Sequence, residues 1–437
     1  MSATGVSVDV AREVRAICGE ENVRERPIGG VYVSPASAEE VAAVLALANE
    51  RQLTVGPAGG STERSAAELH VDLLLHLNRL TGVEHYDHAD LTVGVGAGTT
   101  IAQLSAMVNA DNLMFASDPA LPGRCTIGGL LATAAHGPLR HGYGGVRDFC
   151  IGVRFVTGDG KRAKGGGRVV KNVAGYDLMK LLIGSYGTLA VITSASFKLF
   201  PAPRQTRTFL AEFRTANEAL QFRDRVVGSP LSPMCLELVS PGARKLMRPE
   251  MTEDAWVMCL RAAGSDIVLA RYHKELGSAI TTELEGDDET KMWRAIADFP
   301  VTGNLNRAIE RAPEMIGAAP RFNVTVPLNE VAEVISVIDE FPKVMSDSSG
   351  GGLFGIGMVG RVGVGHILTT AWPESFGMGL DSDTFSNFLV KRLPRQSNLT
   401  VAGSVNPWPI APPHFASMRA VKQALDPKNI LRGREMF

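Results

Sequence analysis

The chain has 437 residues, more than a single hydrophobic core usually serves, so we expect two domains. It is 45% hydrophobic and 21% charged with a formal net charge of -2, which excludes a general affinity for polyanions such as nucleic acid. The N-terminal sequence lacks the uninterrupted apolar run of a secretory signal, and every hydrophobic run is shorter than the roughly 20 residues of a membrane-spanning helix. We therefore expect a cytoplasmic protein that reaches a membrane only through partners.

The five cysteines are scattered along the chain and form no CxxC pair; they are Cys18, Cys125, Cys150, Cys235 and Cys259. This usage is typical of reduced thiols in a cytoplasmic protein. It also argues against an iron–sulfur cluster in this chain, because such clusters need clustered thiolates.

The first half of the chain has the sequence pattern of an α+β domain with many glycine-rich loops. Ser37 is a plausible N-cap for a helix over 39–52, and Thr100 begins a second helix that runs to Asn109. Alternating or apolar runs predict strands at 53–55, 71–77, 91–95, 151–157 and 189–199.

Glycine is less frequent beyond Pro203. The β-α-β units in this part of the chain predict a ferredoxin-like second domain. The predicted elements are strands at 209–213, 234–239, 256–260 and 322–326 and helices at 216–227, 267–276 and 331–341. A final amphipathic helix over 414–425 should fold back onto the first domain. The expected domains are thus 1–203, 204–405 and a C-terminal tail, 406–437.

Three segments contain the candidate residues for binding a cofactor or substrate. The first glycine loop, Gly56–Thr62, can turn backbone N–H groups toward a diphosphate, although a tight surface turn is the alternative. The small-residue segment, Asp118–Pro138, suits a surface pressed against a planar cofactor. Its alternative is a buried helix, which the paired glycines disfavour.

The third segment is GGRVVKNVAGYDL at 166–178, which precedes the GSYGTL turn at 184–189. Lys171 and Asn172 either serve a flavin or substrate or merely hold the loop.

In this order the three segments resemble the vanillyl-alcohol-oxidase, or PCMH-type, family of FAD-binding domains, and the resemblance implies a domain of two α/β subdomains. The run GGRVVKNVAGYDLMKLLIGSYGTLAVIT is most similar to the FAD-binding E subunits of bacterial glycolate oxidases. The resemblance implies non-covalent FAD, oxidation of glycolate to glyoxylate, and a complex with a catalytic flavoprotein subunit and an iron–sulfur subunit. Because this chain has no cluster of its own, electrons would leave the flavin through such a partner.

The resemblance also implies which residues hold FAD. In the family the first loop binds the pyrophosphate, the second segment lines the flavin and its ribityl chain, and the strand after the third borders the adenine. The matching positions are Pro57, Ala58, Gly59, Gly60, Ser61 and Thr62, then Asp118, Thr126, Gly128, Gly129, Ala135 and Gly137, then Val146, Arg147 and Asp148, and finally Gly187 and Val191.

Catalytic relatives carry clustered metal-binding histidines in the C-terminal half, whereas this chain has only RVGVGH at 361–366 at a comparable place. No metal site is therefore expected. The candidate catalytic residues are Lys171, Arg361 and His366, which could bind a carboxylate and take a proton. A solvated strand end is the alternative for Arg361 and His366.

Two further patterns are excluded. Gly94-Val95-Gly96-Ala97-Gly98 lacks the last glycine of a dinucleotide fingerprint, because Thr99 stands there. His85 and His88 have no further ligands nearby and fit turn polarity better than a metal site.

Three functions stay open: a subunit of a glycolate or D-lactate oxidising complex, a self-sufficient D-2-hydroxy-acid dehydrogenase, and a scaffolding subunit without redox cycling.

Overall fold

The computed structural model describes residues 8–62, 69–168, 177–247, 254–299, 321–348, 354–373, 382–402 and 414–433. The chain forms two compact units. The first comprises Met1–His136, Gly144–Ala202 and Pro412–Phe437, and the second comprises Gly137–Tyr143 and Pro203–Ala411. In the described parts, no helix is both long and apolar enough to cross a membrane.

Up to residue 201 the described chain alternates short strands and helices. The strands are β1 Val23–Glu25, β2 Val31–Val33, β3 Val55–Ala58, β4 Leu73–His76, β5 Val83–Asp87, β6 Thr92–Gly96, β7 Leu113–Met114, β8 Cys150–Thr157, β9 Arg162–Gly166, β10 Ala190–Lys198 and β11 Phe200–Pro201. The helices are Val8–Cys18, Ala38–Arg51, Ile101–Asn109, Ile127–Thr133, Arg140–Tyr143, Val146–Phe149 and Leu178–Leu182.

The first unit contains two larger sheets. One has the order β1-β2-β4-β3, with β4 parallel to both β2 and β3. The other is antiparallel, with the order β5-β6-β10-β8-β9. These sheets are the two α/β subdomains that the sequence predicted.

The helix Ala38–Arg51 shows why the local predictions succeed. The Ser37 hydroxyl accepts a hydrogen bond from the Glu40 N–H, and the apolar positions at helical spacing, Val41, Val44, Leu45 and Ala48, are all buried. Thr100 caps the helix Ile101–Asn109 in the same way, through a reciprocal pair with Gln103.

The second unit is one antiparallel sheet with helices. Its strands are β12 Thr206–Phe213, β13 Cys235–Val239, β14 Trp256–Ala263, β15 Thr282–Leu284, β16 Arg321–Thr325, β17 Phe354–Arg361, β18 His366–Pro373 and β19 Asn398–Ala402. Its later helices are Ala216–Val227, Pro241–Met247, Asp266–Leu276, Gly286–Asp298, Val331–Asp339, Phe341–Ser348 and Ser382–Arg392.

The strand order of this sheet is β15-β12-β14-β13-β17-β18-β16-β19. Numbered within each half, both halves have the order 4-1-3-2 and follow a β-α-β-β-α-β sequence, which defines the ferredoxin-like fold. The predicted ferredoxin-like fold is therefore confirmed, and it occurs twice. The halves join where Leu238 pairs with Gly360 and Val239 with Val359.

The two faces of the sheet differ. One face carries a single large hydrophobic cluster, to which Phe209, Leu236, Val324 and Ile367 contribute together with helices from both halves. Because side chains alternate along a strand, Glu237, Thr325 and His366 lie on the opposite face. We call this the polar face, because it contains the buried side chains of Glu237 and His366.

The C-terminal segment belongs to the first unit. The helix Phe415–Leu425 is followed by a turn, and Leu431 then forms a parallel bridge with Val55 beside β3.

Two local predictions were wrong. The strand expected at 53–55 lies at Val55–Ala58, because β4 on one side and Leu431 on the other supply partners for those residues. The small-residue segment contains the helix Ile127–Thr133, which the paired glycines were expected to prevent. Close packing of Gly128 on Ala97 compensates for the low helix propensity of glycine.

Candidate functional site

The first glycine loop and the start of the helix Ile127–Thr133 lie against each other. An ideal Cβ on Gly59 would stand 2.2 Å from Thr126 Oγ1, and one on Gly60 would stand 1.7 Å from the Arg124 carbonyl oxygen. The Arg124 guanidinium also donates to the Gly60 carbonyl at 3.1 Å. Only glycine permits this approach, so the loop and the helix start meet backbone to backbone.

The GSYGTL turn packs against the same helix and the same glycine loop. The N–H groups of Gly184 and Tyr186 donate to the Leu131 and Ala132 carbonyls at 2.9 and 2.7 Å. Gly187 has a φ of +73°, and an ideal Cβ there would stand 3.3 Å from Pro57 Cγ. The structure thus brings together Pro57–Thr62, Thr126–Gly129 and Gly187, which are distant in sequence. Small residues that bring backbone segments together in this way fit a dinucleotide diphosphate.

The other predicted cofactor residues take several positions in the fold. Val146 is buried at the start of the helix Val146–Phe149, while Arg147 and Asp148 are exposed, and the Asp148 carboxylate accepts the Gly145 N–H at 2.8 Å. Val191 is fully buried in the core around β3 and β4. Asp118 and Ala135 are half-buried in the first unit, and Gly137 begins the segment that belongs to the second.

The candidate catalytic residues are only partly described, because Lys171 and Asn172 lie outside the described residues. Arg361 and His366 pair across the β17–β18 hairpin, so the structure does bring these two together. Neither is at a solvated strand end: Arg361 exposes 0% and His366 6% of its surface. The alternative interpretation of this segment was therefore wrong.

Arg361 carries a buried counter-charge. Its Nε lies 3.4 Å from Oε1 of Glu237, whose exposure is also 0%. Extending the β13–β17 register by one residue from Leu238–Gly360 puts these residues opposite each other. A fully buried charge requires such a partner, since its desolvation is costly.

His366 is held neutral. Its Nδ1 lies 3.2 Å from the Thr325 hydroxyl. Burial, and then the positive charges of Arg361 and Arg140, lower the pKa of His366 well below its ordinary value of 6.5. A neutral imidazole in this position can accept a proton.

The short helix Arg140–Tyr143 adds residues that sequence reasoning missed. An ideal Cβ on Gly363 would stand 2.4 Å from His141 Nδ1, so this histidine packs on the β17–β18 turn. Burial lowers the pKa of His141. The available signal was a pair of basic residues, Arg140 and His141, within an otherwise small and apolar segment. For Glu237 the signal was a single acidic residue in the apolar run MCLELV.

The two excluded patterns have structural explanations. Gly96 and Gly98 let the chain after β6 approach the carbonyl oxygens of Leu80 and Leu77, which a Cβ would meet at 2.2 and 2.3 Å. His88 Nε2 lies 3.3 Å from an Asp111 carboxylate oxygen, and His85 packs on Gly94. Within the described ranges, no three His, Cys, Asp or Glu side chains are grouped as metal ligands. All five cysteines are buried, and none of them forms a disulfide.

Comparison with known proteins identifies two matching family models, an FAD binding domain over residues 29–166 and a C-terminal domain of FAD linked oxidases over residues 407–434. D-lactate dehydrogenase of Archaeoglobus fulgidus is 35% identical over 232 residues, 52% of this chain and 51% of that protein. Glycolate oxidase subunit GlcD of Bacillus subtilis is 24% identical over 99% of this chain and 97% of its own length. Subunit GlcE of Escherichia coli is 36% identical over 35% of this chain and 45% of its own. The matches thus span about half the length of two of these relatives.

Solved structures extend the fold comparison to the whole chain. The 4-ethylphenol oxidase from Gulosibacter chungangensis has a TM-score of 0.74 at 16% identity and covers 99% of this chain and 98% of its own. For p-cresol methylhydroxylase the TM-score is 0.68 at 14% identity, with the same coverage. The predicted α+β fold, a PCMH-type FAD-binding domain followed by a second domain, is confirmed. The chain therefore matches the FAD binding domain and the C-terminal domain of FAD linked oxidases, and FAD is its cofactor.

Proposed function

We propose that this chain is the FAD-binding subunit of a glycolate oxidase complex, which oxidises the CH–OH group of a 2-hydroxy acid and passes the electrons to a partner. The observation that carries the proposal is the agreement among its relatives, whose names specify glycolate, D-lactate and D-2-hydroxyglutarate as substrates. These three compounds share a carboxylate next to a secondary or primary alcohol.

FAD would lie on the backbone surface formed by Pro57–Thr62, Thr126–Gly129 and Gly187. The close approaches of Gly59 and Gly60 support this assignment, because they leave peptide groups rather than side chains to face a diphosphate. The remaining assigned positions, Asp118, Ala135, Gly137, Val146, Arg147, Asp148 and Val191, would surround the rest of the cofactor. His136 would take a polar supporting role, with the flavin bound non-covalently.

The substrate would use the polar face of the second unit. A carboxylate needs positive charge, which Arg140 supplies beside His366, while Glu237 compensates Arg361. Neutral His366 would accept the hydroxyl proton as the carbonyl forms. Lys171 stays a candidate substrate ligand. Bound FAD supplies the acceptor for the hydride that leaves the substrate carbon.

A second candidate is a self-sufficient D-lactate dehydrogenase, which the D-lactate dehydrogenases among the relatives favour. Both candidates require a flavin that the substrate reduces, whereas the scaffolding alternative requires none.

The test is an anaerobic titration of the purified full chain with glycolate, D-lactate and, as the control, L-lactate. Bleaching of the oxidised flavin band by D-lactate or glycolate would show that the chain oxidises the substrate itself. A yellow protein that does not bleach would contradict substrate oxidation by this chain and would assign that reaction to a partner subunit. A chain that binds no FAD would contradict both redox functions and support a scaffold.

Variants then test the site. We expect His366→Gln to slow the bleaching at least about a hundredfold, the usual contribution of a positioned base. His88→Gln, which changes an exposed histidine of the first unit, should have no effect. Equal rates in the two variants would contradict the role of His366.

A further inference from the structure

Lys422, on the C-terminal helix, is a buried amine surrounded by three oxygen atoms. It is 5% exposed. Its Nζ donates to the Thr188 carbonyl at 2.7 Å, to the Leu431 carbonyl at 3.0 Å and to the Asp426 carboxylate. These three acceptors use all three N–H bonds of an ammonium group, which makes its burial tolerable.

Asp426 continues this arrangement on the other side. It has no exposed surface, and its two carboxylate oxygens accept the N–H groups of Ile430 and Leu431 at 3.0 and 2.8 Å. Lys422 and Asp426 together therefore fix the turn between the C-terminal helix and the segment 430–432.

That segment supports the strand that ends in the first glycine loop. The Val55 N–H donates to the Ile430 carbonyl, and the Arg432 N–H donates to the Val55 carbonyl, both at 2.8 Å. Val55 begins β3, and Gly59–Thr62 follow β3 directly.

The other acceptor of Lys422 lies in the GSYGTL turn. Thr188 follows Gly187, which packs on Pro57, and an ideal Cβ on Gly433 would stand 1.7 Å from the Tyr186 carbonyl oxygen. Lys422 thus connects the two backbone segments that flank the first glycine loop. If the Lys422–Asp426 ion pair only stabilised the fold, Lys422 would not need hydrogen-bond acceptors in both of these segments.

We propose that Lys422 is a positioning residue for FAD: through Thr188 and Leu431 it fixes β3 and the GSYGTL turn relative to each other, without touching the cofactor. This inference rests on the proposed FAD position at Pro57–Thr62 and Gly187. It is independent of the substrate and of the partner subunits.

The experiment compares Lys422→Met with Lys428→Met in the full chain. Lys428 is the matched control, because its Nζ also donates to a backbone carbonyl, that of Asn49 at 2.9 Å, but at an exposed position. The dissociation constant for FAD is measured by titrating apoprotein and following flavin fluorescence. We expect it to rise about tenfold or more in Lys422→Met, about 1.4 kcal/mol, and to change less than about twofold in Lys428→Met.

A double variant separates positioning from charge compensation. Lys422→Met leaves the Asp426 carboxylate buried without its cation, whereas Lys422→Met with Asp426→Asn removes both charges and keeps one side-chain acceptor. We expect the double variant to regain thermal stability as apoprotein while its FAD dissociation constant stays raised. Recovery of FAD affinity together with stability would overturn the proposal, since Lys422 would then only neutralise Asp426.

If these variants fail to fold, hydrogen exchange of the wild-type chain tests the proposal instead. In the wild-type chain, FAD should slow exchange of the Val55 and Arg432 amides, and unchanged exchange at both would overturn the proposal. If the wild-type chain binds no FAD, the proposed function fails, and this inference with it. Wild-type binding together with unaltered binding by Lys422→Met would overturn this inference alone.

Discussion

Glu237 lies opposite Arg361 at the junction of the two ferredoxin-like halves of the second unit, and both side chains are fully buried. Neither half contains both partners, so the pair joins elements that are more than a hundred residues apart in sequence. Its charges stay compensated only while the two halves are paired.

Glu237→Gln should therefore destabilise the second unit strongly. The substitution removes the Glu237 counter-charge of the buried Arg361, and we expect a loss of about 3–5 kcal/mol in the free energy of unfolding. Urea denaturation followed by tryptophan fluorescence measures it, because all four tryptophans fall between residues 203 and 411, within this unit.

The control for Glu237→Gln is Glu285→Gln, which removes an exposed carboxylate paired with Arg207 and should cost less than about 1 kcal/mol. Replacing both members of the buried pair, Glu237→Leu with Arg361→Met, should recover much of the loss. Equal losses in Glu237→Gln and Glu285→Gln would show that the buried charge is not the cause.

Gly60→Ala should impair FAD binding. A Cβ at this position would overlap the Arg124 carbonyl oxygen at 1.7 Å, and backbone must move to relieve the overlap. Gly123→Ala is the control, since a Cβ there meets nothing within 4 Å although the residue lies next to Arg124. Titration of both apoproteins with FAD should show a large loss of affinity for Gly60→Ala and wild-type affinity for Gly123→Ala. Wild-type affinity in both would contradict the assignment of this loop to the cofactor.

Comparing Gly187→Ala with Gly184→Ala shows whether backbone strain or the contact with Pro57 affects FAD binding. Both glycines have positive φ, +73° and +85°, so each alanine should cost about 1–2 kcal/mol of stability. Only residue 187 lies against Pro57; a Cβ at residue 184 has Ala134 at 3.8 Å as its neighbour. We therefore expect similar losses of apoprotein thermal stability but a loss of FAD affinity in Gly187→Ala alone. Equal effects on FAD affinity would mean that strain, rather than the contact with Pro57, controls binding.

The sequence was informative wherever structure depends on neighbouring residues. The helix Ala216–Val227 has the predicted bounds, because its cap, Thr215 with Glu218, is local. Sequence patterns did not indicate that β3 would extend to Ala58, since its partner there is His76 of β4, beyond the first glycine loop. They also misjudged Arg361, because the acidic residue that permits its burial, Glu237, belongs to the other half of the sheet.

The residues of the candidate site also fall into those that the sequence could indicate and those that it could not. The glycine loops could be located because close backbone approach restricts the residue type, and the family resemblance supplied their order. Supporting residues such as Arg140 and Lys422 have no such signature. Each is an ordinary basic side chain in the sequence and gains its role only from the elements that packing brings to it.

His366 should make the second unit sensitive to acid. Its pKa in the folded chain lies well below 6.5, so below pH 6.5 the unfolded chain binds a proton that the folded chain does not. Stability therefore falls as the pH decreases from 6.5 toward the folded-state pKa. Between pH 7.5 and 5.5 one histidine can contribute at most about 1.4 kcal/mol in this way.

Urea unfolding at those two pH values tests this linkage, with tryptophan fluorescence as the probe. In His366→Gln the loss of stability on acidification should be smaller than in the wild type, by up to about 1.4 kcal/mol. His273→Gln is the control from the same unit, because His273 has 44% of its side chain exposed and is paired with Glu283. It should retain most of the wild-type loss. The same loss in His366→Gln as in the wild type would mean that folding does not lower the pKa of His366, which would contradict its burial as a neutral imidazole.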